Sequence, residues 1–329
     1  MTSPVNQAAM KLLDAKKIVL AAHVNPDGDT LGSIVALALA LKKLGKEVMP
    51  LSAHGVPDIY TWMPGMEMVH TETSDTDFDL AVMCDAGALN RVGSSVLATL
   101  LSAPFLIHID HHVTGEKIGN IRVLDQKSAS TAELVWKVLV AMENISGKKL
   151  LGKEIALNLM TGIITDTGSF RYLNVTPSTF ITAAKLQKLG AIPAPIGELV
   201  FENRSEGAVR LLGRALKKME ISENRLVAWS ALSADDFKEF DATDADTEGI
   251  VSHVRAVNGV QVGLLFREIA GKPVRVSLRA REGNDVNRIA NVFGGGGHYL
   301  ASGCTMDTDL PTAVKLVVAE TIRQVKPPH

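Results

Sequence analysis

The segment Lys17-Ile-Val-Leu-Ala-Ala22-His23-Val-Asn-Pro-Asp27-Gly-Asp29-Thr30 decides the fold. Its first six residues are a short, β-rich apolar run that predicts a strand, Lys17–Ala22. Pro26 and Gly28 then turn the chain, and Thr30–Leu44 shows helical spacing that ends at Gly45, a residue suited to the position after a helix. Working outward, the same alternation returns. Strands are expected at Glu47–Leu51, Leu80–Cys84 and Phe105–Ile109, with helical patterns between them and a further helix around Glu154–Thr165. Strand and helix in alternation are the signature of a parallel sheet covered by helices, so the first half is an α/β domain. Ser130 and Glu133 have capping-box spacing ahead of the apolar run Leu134–Met142, which gives that pair a structural role.

Gly190-Ala-Ile-Pro-Ala-Pro-Ile-Gly197 interrupts this pattern with two prolines and two glycines and is expected to begin a linker. Beyond it a helix, Ser205–Met219, leads to strands at Arg225–Leu232, Gln261–Glu268 and Val274–Arg279 and to a glycine cluster at Gly294–Gly297. The expected organisation is a catalytic domain over 1–189, a linker over 190–215 and a smaller α/β domain over 216–329, with the active site in a cleft between the two. A length of 329 residues suits two cores.

Composition narrows the class. With 46% hydrophobic and 21% charged residues the whole chain should fold. The start has no basic and apolar leader pattern, the longest apolar runs fall short of a membrane span, and the two cysteines, Cys84 and Cys304, support neither a disulfide framework nor a thiolate metal cage. A cytoplasmic protein without a membrane partner is expected. The net charge of −2 argues against a grip on long nucleic acid, which needs many cationic contacts. Arginine is unevenly placed: Arg91, Arg122 and Arg171 precede residue 193 and eleven follow it, so the second half holds most of the residue type that grips phosphate.

Residues with ligand chemistry recur at strand ends. His23, Asp27 and Asp29 follow the first strand, Asp85 follows Leu80–Cys84, and Asp110-His111-His112 follows Phe105–Ile109. Asp166 closes the helical stretch before Thr167-Gly168. In open α/β sheets the carboxyl edge is where ligands bind. Acids placed only for solubility would spread over helix faces, so a shared metal site is the better reading. Imidazoles and carboxylates without thiolates suit Mn²⁺ or a similar ion, and this many exceed the needs of one ion. The sequence holds no nucleophile elbow, no Walker lysine and no reactive-cysteine context.

In order, and across nearly the whole chain, these motifs and Gly294-Gly-Gly-Gly-His298 resemble the DHH/DHHA1 phosphoesterases, most closely the stand-alone oligoribonuclease and 3′-phosphoadenosine 5′-phosphate (pAp) phosphatases. The resemblance implies two Mn²⁺ ions, one held by His23, Asp27 and Asp85, the other by Asp29, Asp85, His111 and Asp166. It implies His112 beside the scissile phosphate as charge stabiliser or proton donor, with Asp110 orienting a neighbouring histidine. Arg279, Gly295, Gly296, Gly297 and His298 would bind the rest of the substrate, the glycine run being expected ahead of a helix whose N-terminus favours an anion. Cyclic di-AMP or pApA hydrolysis is the alternative within the family, a manganese pyrophosphatase or a non-catalytic nucleotide-binding module the less favoured ones. The expected partner is a short RNA or a mono- or dinucleotide, the chain being a monomer or homodimer. His54, His70, His253 and His329 show no partner spacing, His108 is unassigned, and Arg91 and Arg171 suit phosphate contacts and surface salt bridges about equally.

Overall fold

The computed structural model describes residues 2–112 and 117–327 and divides into two compact units, Met1–Asn203 and Arg204–His329. His329 lies outside the described residues. In the first unit the order is α1 (Pro4–Asp14), β1 (Lys17–Ala21), α2 (Gly28–Lys43), β2 (Glu47–Leu51), β3 (Leu80–Cys84), α3 (Ser94–Ser102), β4 (Leu106–Asp110), β5 (Ile121–Leu124), α4 (Thr131–Ser146), α5 (Lys153–Asp166), α6 (Pro177–Lys188) and α7 (Pro193–Gly197). Its five strands pair in the order β2-β1-β3-β4-β5, all parallel. Strands β3 and β4 are buried along their length, as strands covered on both faces are. The order reverses between β1 and β3, a topological switch point that opens a crevice at the carboxyl ends of the two strands.

Helices α2 and α5 pack closely on one face of this sheet. A Cβ on Gly32 would stand 2.3 Å from the carbonyl oxygen of Asn158, and one on Gly162 would stand 2.7 Å from Asp29 Oδ1. Only residues without side chains allow that approach. It matters because the N-terminus of α2 carries Asp27 and Asp29 and the C-terminus of α5 carries Asp166.

The expected linker over 190–215 is instead largely helical. Pro193 and Pro195 sit in the first turn of α7, where a missing N–H costs nothing, and Ile196 is buried in the core of the first unit. A π-helical turn, Glu198–Glu202, follows, and the division falls after Asn203. The prolines start a helix here.

The second unit contains α8 (Glu206–Lys217), β6 (Glu220–Ile221), β7 (Val227–Leu232), α9 (Ala234–Glu239), α10 (Ile250–Arg255), β8 (Val262–Arg267), β9 (Val274–Ala280), α11 (Val286–Val292), β10 (Gly296–His298), β11 (Ala301–Met306) and α12 (Leu310–Gln324). Its sheet runs β10-β11-β9-β8-β7-β6, mixed, with only β7 and β8 parallel. Val274, Val276, Leu278 and Ala280 face the core beneath α11 and α12, and the residues between them face the other way.

Gly32→Ala should destabilise the first unit by about 1–3 kcal/mol, because the added methyl meets backbone and the two helices must part. Gly213→Ala, on α8 with open space around the position, should stabilise by about 0.4–1 kcal/mol. Chemical denaturation of both variants measures the contrast, and equal stabilities would show that the α2–α5 contact is looser than described.

Candidate metal centre

Strand β1 delivers the chain to the switch point, where His23 is buried and its Nδ1 donates to the Val24 carbonyl at 2.8 Å. That bond fixes the tautomer, leaving Nε2 toward Asp85 Oδ2 at 3.5 Å and Asp27 Oδ1 at 3.8 Å. Asp27 is the N-cap of α2, its side chain accepting from the Asp29 and Thr30 N–H groups at 3.0 Å each. Asp29, in the first turn of the helix, has no solvent exposure. Its two oxygens accept from Thr131 N at 2.7 Å and Ala132 N at 2.8 Å, the unpaired donors that begin α4.

Asp85 adopts a left-handed backbone, φ 58°, at the end of β3, a strained conformation for a residue with a side chain. Oδ1 of Asp85 accepts from Thr131 Oγ1 at 2.9 Å and stands 3.6 Å from His111 Nε2 and 3.5 Å from His112 Nδ1. At the end of β4, Asp110 is fully buried and accepts from the backbone N–H and Nδ1 of His112 at 3.0 and 2.7 Å. His108, two residues earlier and so on the same face, reaches the Ala86 carbonyl at 3.1 Å and Asp110 Oδ2 at 3.4 Å. His111 contacts the Ser128 carbonyl through Nδ1 at 3.3 Å and places Nε2 3.0 Å from Asp166 Oδ2.

All eight residues expected at the metal and phosphate centre therefore lie together. The donor atoms of seven of them, all but Asp110, form three sets, each within 4.8 Å: His23, Asp27 and Asp85; Asp85, His111 and His112; and Asp29, His111 and Asp166. Asp85 belongs to the first two and His111 to the last two. His112 thus stands among ligand-type groups with Asp85 in addition to its bond with Asp110.

A metal fits this donor set. His111 Nε2 is buried and makes no well-formed hydrogen bond among the described residues, although two carboxylates face it. Among the described residues no lysine or arginine pairs with Asp27, Asp29, Asp85 or Asp166. Burial without a cation disfavours the charged form of a carboxylate, and two of the four show it. Burial pushes Asp166 up to about 6, and burial with the charges of Asp85 and Asp166 raises Asp29. Burial works to lower His23 and His111, but the facing carboxylates outweigh it and hold each near about 10. Cys84, beside the cluster, has its thiol pushed up by burial and by Asp85, so it supplies no thiolate.

Several contributions were not visible in the sequence reading. Thr131 and the N-terminus of α4 hold Asp85 and Asp29, yet Ser130 and Glu133 gave only a cap there. The cap is partial: Ser130 accepts from the Glu133 N–H, but Glu133 Oε2 accepts from Ala129 N and Ser128 Oγ. The partner of His54 is Asn25, whose N–H donates to Nδ1 at 3.1 Å, and the Arg91 carbonyl accepts from Val24 N at 2.6 Å, so both tether the turn that carries His23. The exposed Arg171 bonds the Gly168 carbonyl through Nε.

Arg279, Gly295, Gly296, Gly297 and His298 lie in the second unit. No helix follows the glycine run. Gly294, with φ 71°, follows the C-cap of α11 in the left-handed region, and the chain then forms the hairpin β10–β11. A Cβ on Gly295 would stand 2.2 Å from the Gly303 carbonyl, so the missing side chains serve strand pairing. Cross-strand partners share a face, and His298 pairs with Ala301, which pairs with Arg279. His298 and Arg279 therefore belong to one face of the sheet.

Comparison with known proteins agrees with these features. Residues 17–163 match the N-terminal domain of the DHH family, and residues 226–324 match the DHHA1 domain. The chain is 33% identical to the bifunctional oligoribonuclease and PAP phosphatase NrnA of Thermus thermophilus over 93% of its own length and 89% of that protein's. It is 30% identical to the probable counterpart from Streptococcus mutans, covering 87% and 88%. Among solved structures, an exopolyphosphatase-related protein from Bacteroides fragilis superposes with a TM-score of 0.90 at 28% identity, covering 97% of this chain and 96% of the other.

In the metal-free protein, thermal stability should fall as pH rises from about 6.5 toward about 10. His23 and His111 carry raised values in the folded state, so their stabilising contribution is complete below 6.5 and is lost through 10. A pH series of melts in chelator checks this, with His23→Gln/His111→Gln expected to flatten the slope. An unchanged slope in that variant would show that the imidazole–carboxylate pairs carry no such linkage.

Proposed function

Because the chain belongs to the DHH family of phosphoesterases, with a DHHA1 domain in its second half, we propose that it is a cytoplasmic Mn²⁺-dependent hydrolase of pAp and of RNAs a few nucleotides long. The observation that carries this reading is the convergence of four carboxylates and three imidazoles at the switch point, where among the described residues no lysine or arginine pairs with the carboxylates. Mixed nitrogen and oxygen donors without thiolate suit Mn²⁺. His23, Asp27 and Asp85 would hold one ion, Asp29, Asp85, His111 and Asp166 the other, with Asp85 shared. Bound there, the ions would lower the pKa of a water and neutralise charge on the phosphoryl group.

The remaining work falls to the chain itself. Asp110 accepts the Nδ1 proton of His112, which orients that ring and leaves Nε2 as its other proton-transfer atom. Burial works to lower His112, but Asp110 and Asp85 outweigh it and raise it, which favours the imidazolium that stabilises phosphoryl charge or gives a proton to the leaving oxygen. The first unit then acts as the catalytic domain. In the second, Arg279 and His298 share a face on which they are suited to hold the rest of the substrate, beside the exposed strand Gly296–His298. Buried, unpaired Cys84 and Cys304 accord with a reducing compartment.

Asp85→Ala and His111→Ala should each cost more than roughly a hundredfold in turnover, beyond the loss typical of a residue that only orients a ligand. Arg279→Ala and His298→Ala should weaken turnover and leave metal content unchanged. Near wild-type rates in either of the first two variants would remove the two-ion assignment, and lost metal in either of the second pair would show that the domain roles are misassigned.

Initial rates of the Mn²⁺-loaded chain on pAp, pApA, cyclic di-AMP, pyrophosphate and RNAs of graded length test the substrate. RNA of a few residues should be cleaved about tenfold or more faster than a strand several times longer, since a chain of net charge −2 with 5% aromatic residues offers little cationic excess and few stacking platforms beyond the first few nucleotides. Comparable rates on both lengths would point to a processive exonuclease, and a preference for cyclic di-AMP to a different substrate of the same centre.

A further inference from the structure

The face of the second sheet that carries Arg279 and His298 does not end with them. Alternation along β9 places Arg275 and Ser277 on it too, and the register pairs Arg275 with Arg267 of β8. Arg275 and Arg279 are four residues apart on one strand, roughly 13–14 Å. Between the strands and the segment before α10 lies a cavity of about 270 Å³ whose lining includes Asp244, Thr247, Arg267, Arg275, Ser277 and Arg279.

The polar groups of this cavity are only partly satisfied. Nη1 of Arg267 donates to Asp244 Oδ1 at 2.8 Å and to Thr247 Oγ1 at 3.1 Å, and Nη2 donates to Ser277 Oγ at 2.8 Å. Its Nε is buried and has no hydrogen-bond partner among the described residues. The second carboxylate oxygen of Asp244 accepts from Arg275, whose side chain is 52% exposed. Three guanidinium groups line the cavity against two carboxylates, Asp244 and Glu248. A purely structural ion pair would need one arginine for Asp244, and an unmet buried donor beside surplus positive charge calls for an anion. Guanidinium groups in this number match the oxygens of a phosphoryl group.

We propose that Arg267 and Arg275, held apart and in place by Asp244, form a second phosphoryl subsite on the sheet face that Arg279 and His298 begin. This rests on the reading above that Arg279 and His298 hold nucleotide. The subsite takes a phosphoryl group beyond the one they bind, and Asp244 is the built-in counter-ion with which that group competes. The phosphoryl group arrives as part of the bound strand or as free phosphate.

Calorimetric titration of the full chain, in chelator so that nothing is turned over, separates the sources and reads the subsite independently of catalysis. The probes are 5′-phosphorylated di- and triadenylate and inorganic phosphate. For a strand phosphate, triadenylate binds more tightly than diadenylate, Arg275→Gln removes that advantage by about tenfold, the worth of one charge-assisted hydrogen bond, and Asp244→Asn strengthens triadenylate binding. For free phosphate, the same two variants weaken and strengthen the inorganic phosphate titration and leave the oligonucleotides alone. The opposite signs are the diagnostic, because a merely structural cluster would lose affinity in both variants. Unchanged titrations in Arg275→Gln, or weakening in Asp244→Asn, overturn the subsite. Thermal melts confirm that both variants fold. Absence of hydrolysis with every substrate would instead remove the proposed function and leave these titrations standing.

Discussion

A carboxylate with no access to water must be met by donors or by a cation, and Asp29 is met by two backbone N–H groups that open helix α4. That single anchorage joins residues more than a hundred positions apart and fixes three things together. It seats α2, whose first turn carries Asp27 and Asp29. It seats α4, whose Thr131 hydroxyl then reaches Asp85. Through the contact of Gly162 with Asp29 it also sets the distance at which α5 presents Asp166. Any larger side chain at Gly162 would displace the carboxylate that the helix N-terminus holds.

The strain at Asp85 follows from the same arrangement. Its backbone N–H donates to the Ile109 carbonyl, continuing the pairing of β3 with β4 one residue past the strand, while its φ of 58° turns the side chain into the cluster. A residue that left the strand in extended geometry would point along the pleat. The conformational cost, of order 1–3 kcal/mol, is offset by the hydrogen bonds that over-determine the position.

What the sequence disclosed, and what it hid, divides along a physical line. The strands of the first sheet were legible because parallel strands are continuous apolar runs, and the ligand-type residues because imidazole and carboxylate announce their chemistry by type. Thr131 was not legible, since a threonine after a capping serine looks like any other helix start and its partner lies 46 residues away. The backbone donors of α4 have no side-chain signature at all. Pro193 and Pro195 misled because proline breaks a helix interior and begins a helix equally well, and only the burial of Ile196 decides between the two. The glycines at 294–297 misled in another way: glycine permits a cap, a close approach and a strand alike, and this run uses all three.

The second sheet turns one constraint into two outcomes. Alternation sends Val274, Val276, Leu278 and Ala280 into the core beneath α11 and α12, and the intervening Arg275, Ser277 and Arg279 must then share the opposite face, which Leu265 and its cluster cover in part. Glycines at 263, 296 and 303, cross-strand from or neighbouring these positions, add no bulk on that side. A slip of one residue would turn four apolar side chains out of the core beneath α11 and α12 and three polar ones into it, so the register that builds this core is the register that assembles the arginines on the other face. Packing therefore keeps the arginines aligned without any bond between them, which is how a chain of net charge −2 concentrates positive charge along a single strand.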